Sequence, residues 1–208
     1  VSYGAAINAC AKAGEWEAAL SLLEEMEEEG VAPNPTVFNA ALSACAKAGQ
    51  WRRGLRLMKE MRGAGVSPDH ITFGTAMDAC GRAGEWRHTL LLLGQMPAAG
   101  VARTVMSFNM AMDVCIKASG PSCDEEVWRH ALAIFDEIRA VDPEEGVIQP
   151  NEFSFGMALA ACSRGGLWRR ALSLLDEMWA AGLPPNRICF NRAIDACAKG
   201  GQWEKALE

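Results

Sequence analysis

The stretch VSYGAAINACAKAGEWEAALSLLEEMEEEGVAPN, residues 1–34, decides the fold, because versions of it recur along the whole chain of 208 residues. Its clearest marker is one cysteine per copy, at Cys10, Cys45, Cys80, Cys115, Cys162 and Cys197. Successive markers lie 35, 35, 35, 47 and 35 residues apart, so one copy carries an insertion of 12 residues. A fixed period between about 20 and 50 residues is the signature of a repeat protein.

Tryptophans give the same period independently of the cysteines. The one that follows its cysteine by six residues recurs at Trp16, Trp51, Trp86, Trp168 and Trp203. Trp128 instead follows by thirteen residues, so part of the insertion lies around residues 120–122. The rest lies where EIRAVDPEEGVIQPN replaces the shorter EMxxxGVxPN. Both parts of the insertion are expected at turns and not inside helices.

Each repeat is predicted to form two helices of about 11 to 14 residues, each ended by glycine. TVFNAALSACAKAG represents the first helix and EWEAALSLLEEMEEEG the second, followed by a V-x-P-N/D turn. The second helix has an apolar stripe at spacings of three and four residues, while its glutamates cover the remaining surface. One hairpin cannot bury such a stripe alone, so neighbouring repeats must stack. The sequence therefore predicts an all-α fold.

Composition limits the function classes. The net charge of −6 and the pI near 5.2 argue against a uniformly basic surface that would attract nucleic acid everywhere. No apolar run approaches the roughly 20 residues that cross a bilayer, so no membrane insertion is expected. The chain begins at Val1 and ends at Glu208 within an expected helix, and we expect it to belong to a longer protein.

Nothing in the chain has the pattern of a catalytic or metal site. Lone cysteines at regular spacing predict reduced thiols in the core, and neither Cys123 nor Cys189 belongs to a CxxC motif. His70, His88 and His130 fall at unrelated repeat positions. Motifs of hydrolases, nucleotide-binding loops and zinc enzymes are absent. The sequence therefore predicts no enzyme, no metal and no cofactor.

The repeated unit closely resembles the pentatricopeptide repeat of the P type, whose consensus has a V-T-Y-N start, a K-A-G turn, an A-L-x-L-x-x-x-M second helix and a G-x-x-P-D/N end. Tetratricopeptide repeats fit worse, because the tryptophan here starts the second helix. The resemblance covers essentially the whole chain and implies a right-handed α-solenoid of stacked helix-turn-helix repeats. Counted from the Pro-Asn or Pro-Asp ends, the repeats are 1–34, 35–69, 70–104, 105–151 with the insertion, 152–186 and a partial 187–208.

The resemblance further implies a reader of single-stranded RNA, in which each repeat reads one base with two side chains. The first-helix reading positions are Gly4, Asn39, Gly74, Asn109, Gly156 and Asn191. The repeat-end reading positions are Asn34, Asp69, Thr104, Asn151 and Asn186. The alternative is that these asparagines and glycines serve only helix capping and close helix packing.

The base assignments also follow from the resemblance. An asparagine amide offers a donor and an acceptor to a pyrimidine edge. Asn39 with Asp69 resembles the uracil pair, and Asn109 with Asn151 resembles the cytosine pair. The Gly-Asn pairs of repeats one and five lack the hydroxyl expected for a purine, with adenine as the nearest assignment. Gly74 with Thr104 matches no pair, and Asn191 has no repeat-end partner.

Two further rows are expected to contact RNA. By resemblance, apolar side chains near the repeat starts would sandwich each base, at Val1, Thr36, Ile71, Met106, Phe153 and Ile188. A basic residue also lies two positions after each repeated cysteine, at Lys12, Lys47, Arg82, Lys117, Arg164 and Lys199. These cations are expected to contact phosphates, or only to complement the helix dipole. Glutamate-rich second helices would then account for the negative net charge.

Two functions stay open at this point. The first is sequence-preferring binding of single-stranded RNA in organellar RNA processing, stability or translation. The alternative is a scaffold subunit of a ribosome or membrane complex that binds protein or structured RNA. The resemblance implies a mitochondrion or chloroplast, with single-stranded RNA and a protein or ribonucleoprotein assembly as expected partners.

Overall fold

A computed structural model describes residues 3–118, 125–140, 148–202 and 204–205. In these ranges the regular structure is helical, as the repeat pattern predicts. The α-helices are α1 Tyr3–Ala13, α2 Trp16–Glu28, α3 Pro35–Lys47, α4 Trp51–Gly63, α5 His70–Arg82, α6 Trp86–Gln95, α7 Val105–Ala118, α8 Glu125–Ala140, α9 Glu152–Gly165, α10 Trp168–Ala180 and α11 Arg187–Lys199.

The chain forms two compact units, residues 1–103 and 104–208. In the first unit, α1, α3 and α5 pack side by side, and α2 and α4 each pack against two successive first helices. The second unit repeats this arrangement with α7, α9 and α11 as first helices and with α8 and α10 as second helices. Each unit thus has a layer of first helices and a layer of second helices.

Turn chemistry ends the helices where the sequence predicts. Gly49 follows α3 and Gly65 follows α4, both with a left-handed backbone at φ 71° and 75°. Only glycine adopts this conformation without steric cost, so the predicted glycine stops are confirmed. α6 ends earlier than the other second helices, and a short 3-10 helix, Pro97–Ala99, follows it. Pro97 has no backbone N–H to donate and cannot continue the α-helix.

The expectation that the insertion avoids helices is wrong in part. α2, α4, α6 and α10 begin at their tryptophan, whereas α8 begins at Glu125, three residues before Trp128. Inserted residues therefore lengthen this helix by almost one turn. The other inserted residues, 119–124 and 141–147, lie outside the described ranges.

The core is built from the same positions of each repeat. One aromatic of the first helix is nearly inaccessible to solvent at Phe38, Phe73, Phe108 and Phe155. The repeated cysteines at positions 45, 80, 115, 162 and 197 are also buried. Because the cysteine side chain is small, successive first helices can approach closely. Polar residues at the starts of neighbouring first helices therefore come into contact.

Two glycines provide a test of local packing, Gly165 in the second unit and Gly94 in the first. A Cβ added at Gly165 would lie 2.7 Å from the Trp128 ring, so Gly165→Ala is expected to destabilise the fold by about 1–3 kcal/mol. Gly94, inside α6, has no neighbouring atom within 4 Å of an added Cβ. Gly94→Ala should instead stabilise it by about 0.5–1 kcal/mol through helix propensity. Equal shifts in denaturant-induced unfolding of the two variants would contradict this packing.

Candidate nucleic-acid interface

The repeat-end residues cap the first helices of the repeats that follow them. In each case the side-chain oxygen accepts a hydrogen bond from a backbone N–H in the first turn, at 2.8–3.3 Å. These caps are Asn34, Asp69, Thr104, Asn151 and Asn186. Capping is therefore one role of this row, as its residue types predict.

Two of the caps also contact the first-helix reading residue of their own repeat. In repeat two, Asn39 Nδ2 donates to Asp69 Oδ1 at 3.3 Å. Thr72 Oγ1, which carries one proton, lies 2.7 Å from Asn39 Oδ1 and 2.9 Å from Asp69 Oδ1, and we assign its proton to the shorter contact with Asn39. We name Asn39, Asp69 and Thr72 the repeat-two cluster. Its hydrogen bonds fix both the position and the orientation of the Asn39 amide.

Repeat four has the same arrangement despite its insertion. Asn109 Nδ2 donates to Asn151 Oδ1 at 3.2 Å, and Ser154 Oγ donates to Asn109 Oδ1 at 2.7 Å. We name Asn109, Asn151 and Ser154 the repeat-four cluster. The structure thus brings together two residues that lie 42 positions apart in the sequence.

Both first-helix amides keep part of their hydrogen-bonding capacity. An asparagine side chain has two N–H donors and two acceptor lone pairs. In each cluster the bonds to the cap and to the hydroxyl occupy one donor and one acceptor. One donor and one acceptor thus remain, which is the pair that a pyrimidine edge requires.

Asp69 differs from Asn151 in charge. Partial burial would raise its pKa, but hydrogen bonds from Thr72 and Asn39 and the nearby His70 outweigh that effect, so the pKa of Asp69 lies below its ordinary value. The carboxylate is therefore ionised at neutral pH and can only accept hydrogen bonds. Asn151, in the equivalent place, has an amide that both donates and accepts.

Sequence reasoning missed Thr72 and Ser154, which donate hydrogen bonds to the Asn39 and Asn109 amides. Both are almost completely buried and lie three residues after their cap, where they form capping boxes. The pattern Asp/Asn-x-x-Thr/Ser at the helix start was the available signal. Of the three repeats with glycine at the first-helix position, repeats one and five have Val37 and Cys189 in the equivalent places, whereas repeat three has Ser107.

The glycine positions have three different surroundings. An added Cβ at Gly4 would lie 3.7 Å from Val37, and one at Gly74 would meet no atom within 4 Å. At Gly156 an added Cβ would lie 3.2 Å from the Arg192 guanidinium. Gly74 belongs to the first unit and its proposed partner Thr104 to the second, so their pairing stays a prediction. The side chain of Asn191 is exposed on α11.

Side chains proposed to sandwich the bases are exposed on the first helices. Ile71 is 52% exposed and Met106 is 74% exposed, so both side chains are accessible to a ligand. Phe153, Ile188 and the smaller Thr36 are exposed as well. Val1, the remaining member of this row, lies outside the described residues.

Several cations of the basic row have partners within the protein. The Nζ of Lys47 donates to the carbonyl of Ala11 at 2.8 Å, at the end of α1. Three others pair with an aspartate four residues earlier on the same helix, namely Arg82 with Asp78, Lys117 with Asp113 and Lys199 with Asp195. Arg164 also has a partner, and Lys12 is exposed. The helical spacing of the aspartates was a signal that sequence reasoning missed.

Charge is not sorted by helix as expected. α2 has exposed glutamates, but α4 exposes Arg52, Arg56 and Lys59, so the second helix of repeat two is basic. Arginines also lie over the tryptophans that start the second helices. The arginine carbon lies 4.5 Å from the ring centre for Arg52 on Trp51, and the same contact recurs in later repeats. Trp203 lies outside the described residues.

Five of the six repeated cysteines have the environment of core thiols, whereas Cys10 is only half-buried. Burial raises the pKa of Cys80 to about 11 and that of both Cys115 and Cys162 to about 12. Such thiols carry almost no thiolate at neutral pH and are poor nucleophiles and poor metal ligands. Cys189 is buried as well, and Cys123 lies outside the described residues.

Neither a metal cluster nor a membrane span is found in the part of the chain that the structure describes. No group of three or more His, Cys, Asp or Glu side chains there could hold a metal ion. No helix among those residues is both long enough and apolar enough to cross a bilayer.

Comparison with known families identifies the repeat. A model of the PPR repeat family matches residues 1–47 and 33–82. A model of the PPR repeat matches residues 71–101, 153–183 and 188–208. The chain belongs to the pentatricopeptide repeat family. The matched segments leave out residues 102–152, which include the insertion. No curated protein matches the chain.

Solved structures of pentatricopeptide repeat proteins have the same fold. The crystal structure of PPR10 from maize is similar at 27% identity and a TM-score of 0.75 over 100% of this chain. PPR10 in complex with an 18-nt psaJ RNA element matches 96% of the chain at 23% identity and a TM-score of 0.73. The chain spans 28% of the length of either PPR10 chain.

A shorter solved chain is also similar. The PPR domain of Arabidopsis thaliana protein-only RNase P 1, in complex with tRNA, matches at 17% identity and a TM-score of 0.63. That match covers 96% of this chain and 95% of the solved one. Together these matches confirm the fold class predicted from the sequence, an α-solenoid of stacked helix-turn-helix repeats.

Proposed function

We propose that this pentatricopeptide repeat chain binds single-stranded RNA and prefers particular bases at individual repeats. The observation that carries this proposal is the pair of polar clusters in repeats two and four. In each, an asparagine amide is held in place and keeps one donor and one acceptor. Exposed apolar side chains of the first helices supply surfaces on which bases can stack.

The repeat-two cluster is suited to uracil. Uracil presents a carbonyl acceptor next to its N3–H donor, and Asn39 has one donor and one acceptor to offer. The ionised Asp69 adds an acceptor for N3–H and repels the N3 lone pair that cytosine has in the same place. Uracil is therefore preferred over cytosine at this repeat.

The repeat-four cluster is suited to cytosine. Asn151 replaces the carboxylate with an amide, whose N–H can donate to the lone pair on cytosine N3. The amide of Asn109 is 7% exposed, so an unsatisfied hydrogen bond there would be costly. A mismatched base is disfavoured for this reason.

RNA phosphates are the proposed partners of the basic row. The aspartates that pair with Arg82, Lys117 and Lys199 lower the net charge of the row, which leaves base contacts a larger share of the affinity. Affinity should still fall as salt rises, because each phosphate contact releases counterions.

The biological setting is proposed from the family. Binding at a defined site would protect, expose or remodel an organellar transcript during processing, stabilisation or translation, without catalysis by this segment. The mitochondrion and the chloroplast are the proposed locations. PPR10, a protein of the same family, was crystallised with an RNA element. This supports RNA as the partner of the present chain.

A scaffold role is the second candidate. The three aspartate-paired cations and the glycines at reading positions favour it, because both reduce the groups available to RNA. In that case the exposed apolar row would contact a protein or a ribonucleoprotein assembly.

Selection from a random single-stranded RNA pool tests the proposal. RNA retained at two salt concentrations would be sequenced for the wild type and for Asn39→Ala. We expect enriched RNAs to contain uracil opposite repeat two and a pyrimidine two bases away. Asn39→Ala should lose the uracil preference by about tenfold, the effect of one hydrogen bond of roughly 1.4 kcal/mol.

Asn8→Ala is the matched control for that experiment. Asn8 is an exposed asparagine on α1, outside the reading positions, so its loss should leave the enriched sequences unchanged. Failure of the wild type to retain any RNA, even at low salt, would refute RNA binding and favour the scaffold role.

A further inference from the structure

An arginine of the partial sixth repeat lies beside the first-helix position of repeat five, where Gly156 has no side chain. Arg192 lies on α11, and its Nη1 donates a hydrogen bond to the backbone carbonyl of Gly156 on α9. An added Cβ at Gly156 would lie 3.2 Å from the same nitrogen, which is closer than an ordinary contact. The guanidinium therefore occupies the space that a reading side chain at position 156 would need.

The surroundings form an open pocket of about 590 Å³ in the second unit. We name it the repeat-five pocket; its lining includes Glu152, Phe153, Gly156, Asn186, Ile188 and Arg192. Phe153 is 50% exposed and Ile188 is 56% exposed, and both belong to the row proposed to sandwich bases. The pocket thus combines apolar faces with a positive charge.

Arg192 and Asn186 supply hydrogen-bond donors to this pocket. A guanidinium has five N–H donors and no acceptor, and Gly156 takes up one of them. The Oδ1 atom of Asn186 accepts from the backbone N–H groups of Ile188 and Cys189. These bonds leave the N–H donors of the Asn186 amide for a ligand. Glu152 supplies a carboxylate acceptor to the lining.

We propose that Arg192 reads the base opposite repeat five and that it selects guanine. This inference rests on the proposed RNA binding. The guanidinium fork matches the two neighbouring acceptors of guanine, O6 and N7. Adenine places its N6 amino group where O6 would be, so donor would meet donor. This assignment replaces adenine, the nearest assignment for the Gly156–Asn186 pair.

Pyrimidines fit the pocket less well. Uracil offers no two adjacent acceptors, because its N3–H lies between O2 and O4. Cytosine has O2 and N3, but its single ring covers less of Phe153 and Ile188 than a purine does. Guanine satisfies both requirements, and the Glu152 carboxylate can accept from the N1–H and N2–H groups that guanine presents on its other edge.

Repeat one supplies an internal comparison. It has the same Gly-Asn pair, Gly4 and Asn34, but the residue equivalent to Arg192 is Ala40. A guanine preference that depends on the arginine should therefore be present opposite repeat five and absent opposite repeat one.

The test uses the full chain and RNAs that keep uracil opposite repeat two while the base opposite repeat five is varied through all four. We expect the wild type to prefer guanine over adenine by about 5- to 150-fold, the range of one bidentate arginine–base contact. Arg192→Met keeps most of the side-chain volume and should abolish this preference. Arg187→Met removes the same charge from the exposed start of α11 and should keep it.

The outcomes separate this inference from RNA binding itself. Binding with no guanine preference opposite repeat five, or with a preference for another base, overturns the role of Arg192 alone. Absence of any binding overturns both proposals. If Arg192→Met does not fold, Arg192→Lys decides, because it keeps the charge and loses the planar fork. An unchanged guanine preference in Arg192→Lys would show that the fork is not the reader.

Discussion

Phe73→Ala is expected to destabilise the first unit by about 3–5 kcal/mol, the largest effect we predict for a single substitution. Phe73 lies on α5 and is 0% exposed, so its removal leaves a cavity between packed helices. Neighbouring atoms lose dispersion contacts and cannot move far enough to fill the gap. Unfolding in guanidinium chloride, followed by circular dichroism, measures the change.

Phe190→Ala is the matched control for this prediction. Phe190 occupies the same repeat position on α11, but it is 43% exposed. Its loss removes less buried surface and leaves no closed cavity, so the cost should stay below about 2 kcal/mol. Similar losses of stability in the two variants would mean that burial at this position does not determine its contribution.

Asp69→Asn is expected to change the base preferred by repeat two from uracil to cytosine. The variant keeps an oxygen that can cap α5, because asparagine and aspartate are comparable N-caps. It replaces the ionised carboxylate with an amide that can donate to cytosine N3. A hydrogen bond to a charged group contributes about 1.5–3 kcal/mol, so the ratio of uracil to cytosine affinities should fall by at least about tenfold. Titration with two RNAs that differ only at this base measures the ratio.

Asn151→Asp is the reciprocal variant and provides the control. In repeat four it should change the preference from cytosine to uracil, with the uracil preference of repeat two unaffected. The two clusters share the same geometry, with bonds of 3.3 Å and 3.2 Å between the first-helix amide and the cap. If neither exchange alters the base preference, the repeat-end residues cap helices and do not read RNA.

The first-helix asparagines contact their caps in a way that the sequence indicates only in part. Asn39 and Asn109 are found where the following first helix has a hydroxyl three residues after its cap, at Thr72 and Ser154. Gly156 instead faces a helix with Cys189 in that place. Each of these amides needs a hydrogen-bonding partner and therefore depends on the hydroxyl, although the hydroxyl of Ser107 follows repeat three, which has Gly74. Reading positions taken singly do not reveal this dependence.

The sequence by itself determined the period, the type of secondary structure and the helix ends other than the end of α6 and the start of α8. Its cysteines and tryptophans set the repeat, and local chemistry is sufficient for the caps and the glycine stops at positions such as Asn34 and Gly49. Short-range interactions of this kind depend on neighbours within a few residues. The family and the fold class followed from these features.

Only the tertiary structure decided which residues of different helices meet. It showed that Thr72 orients Asn39, that Lys47 bonds the carbonyl of Ala11, and that Arg192 takes the space beside Gly156. It also distinguished Phe73 from Phe190, which the sequence places in equivalent positions. Burial and long-range hydrogen bonds depend on how neighbouring helices pack, and a sequence period specifies equivalent positions without specifying the surroundings of each one.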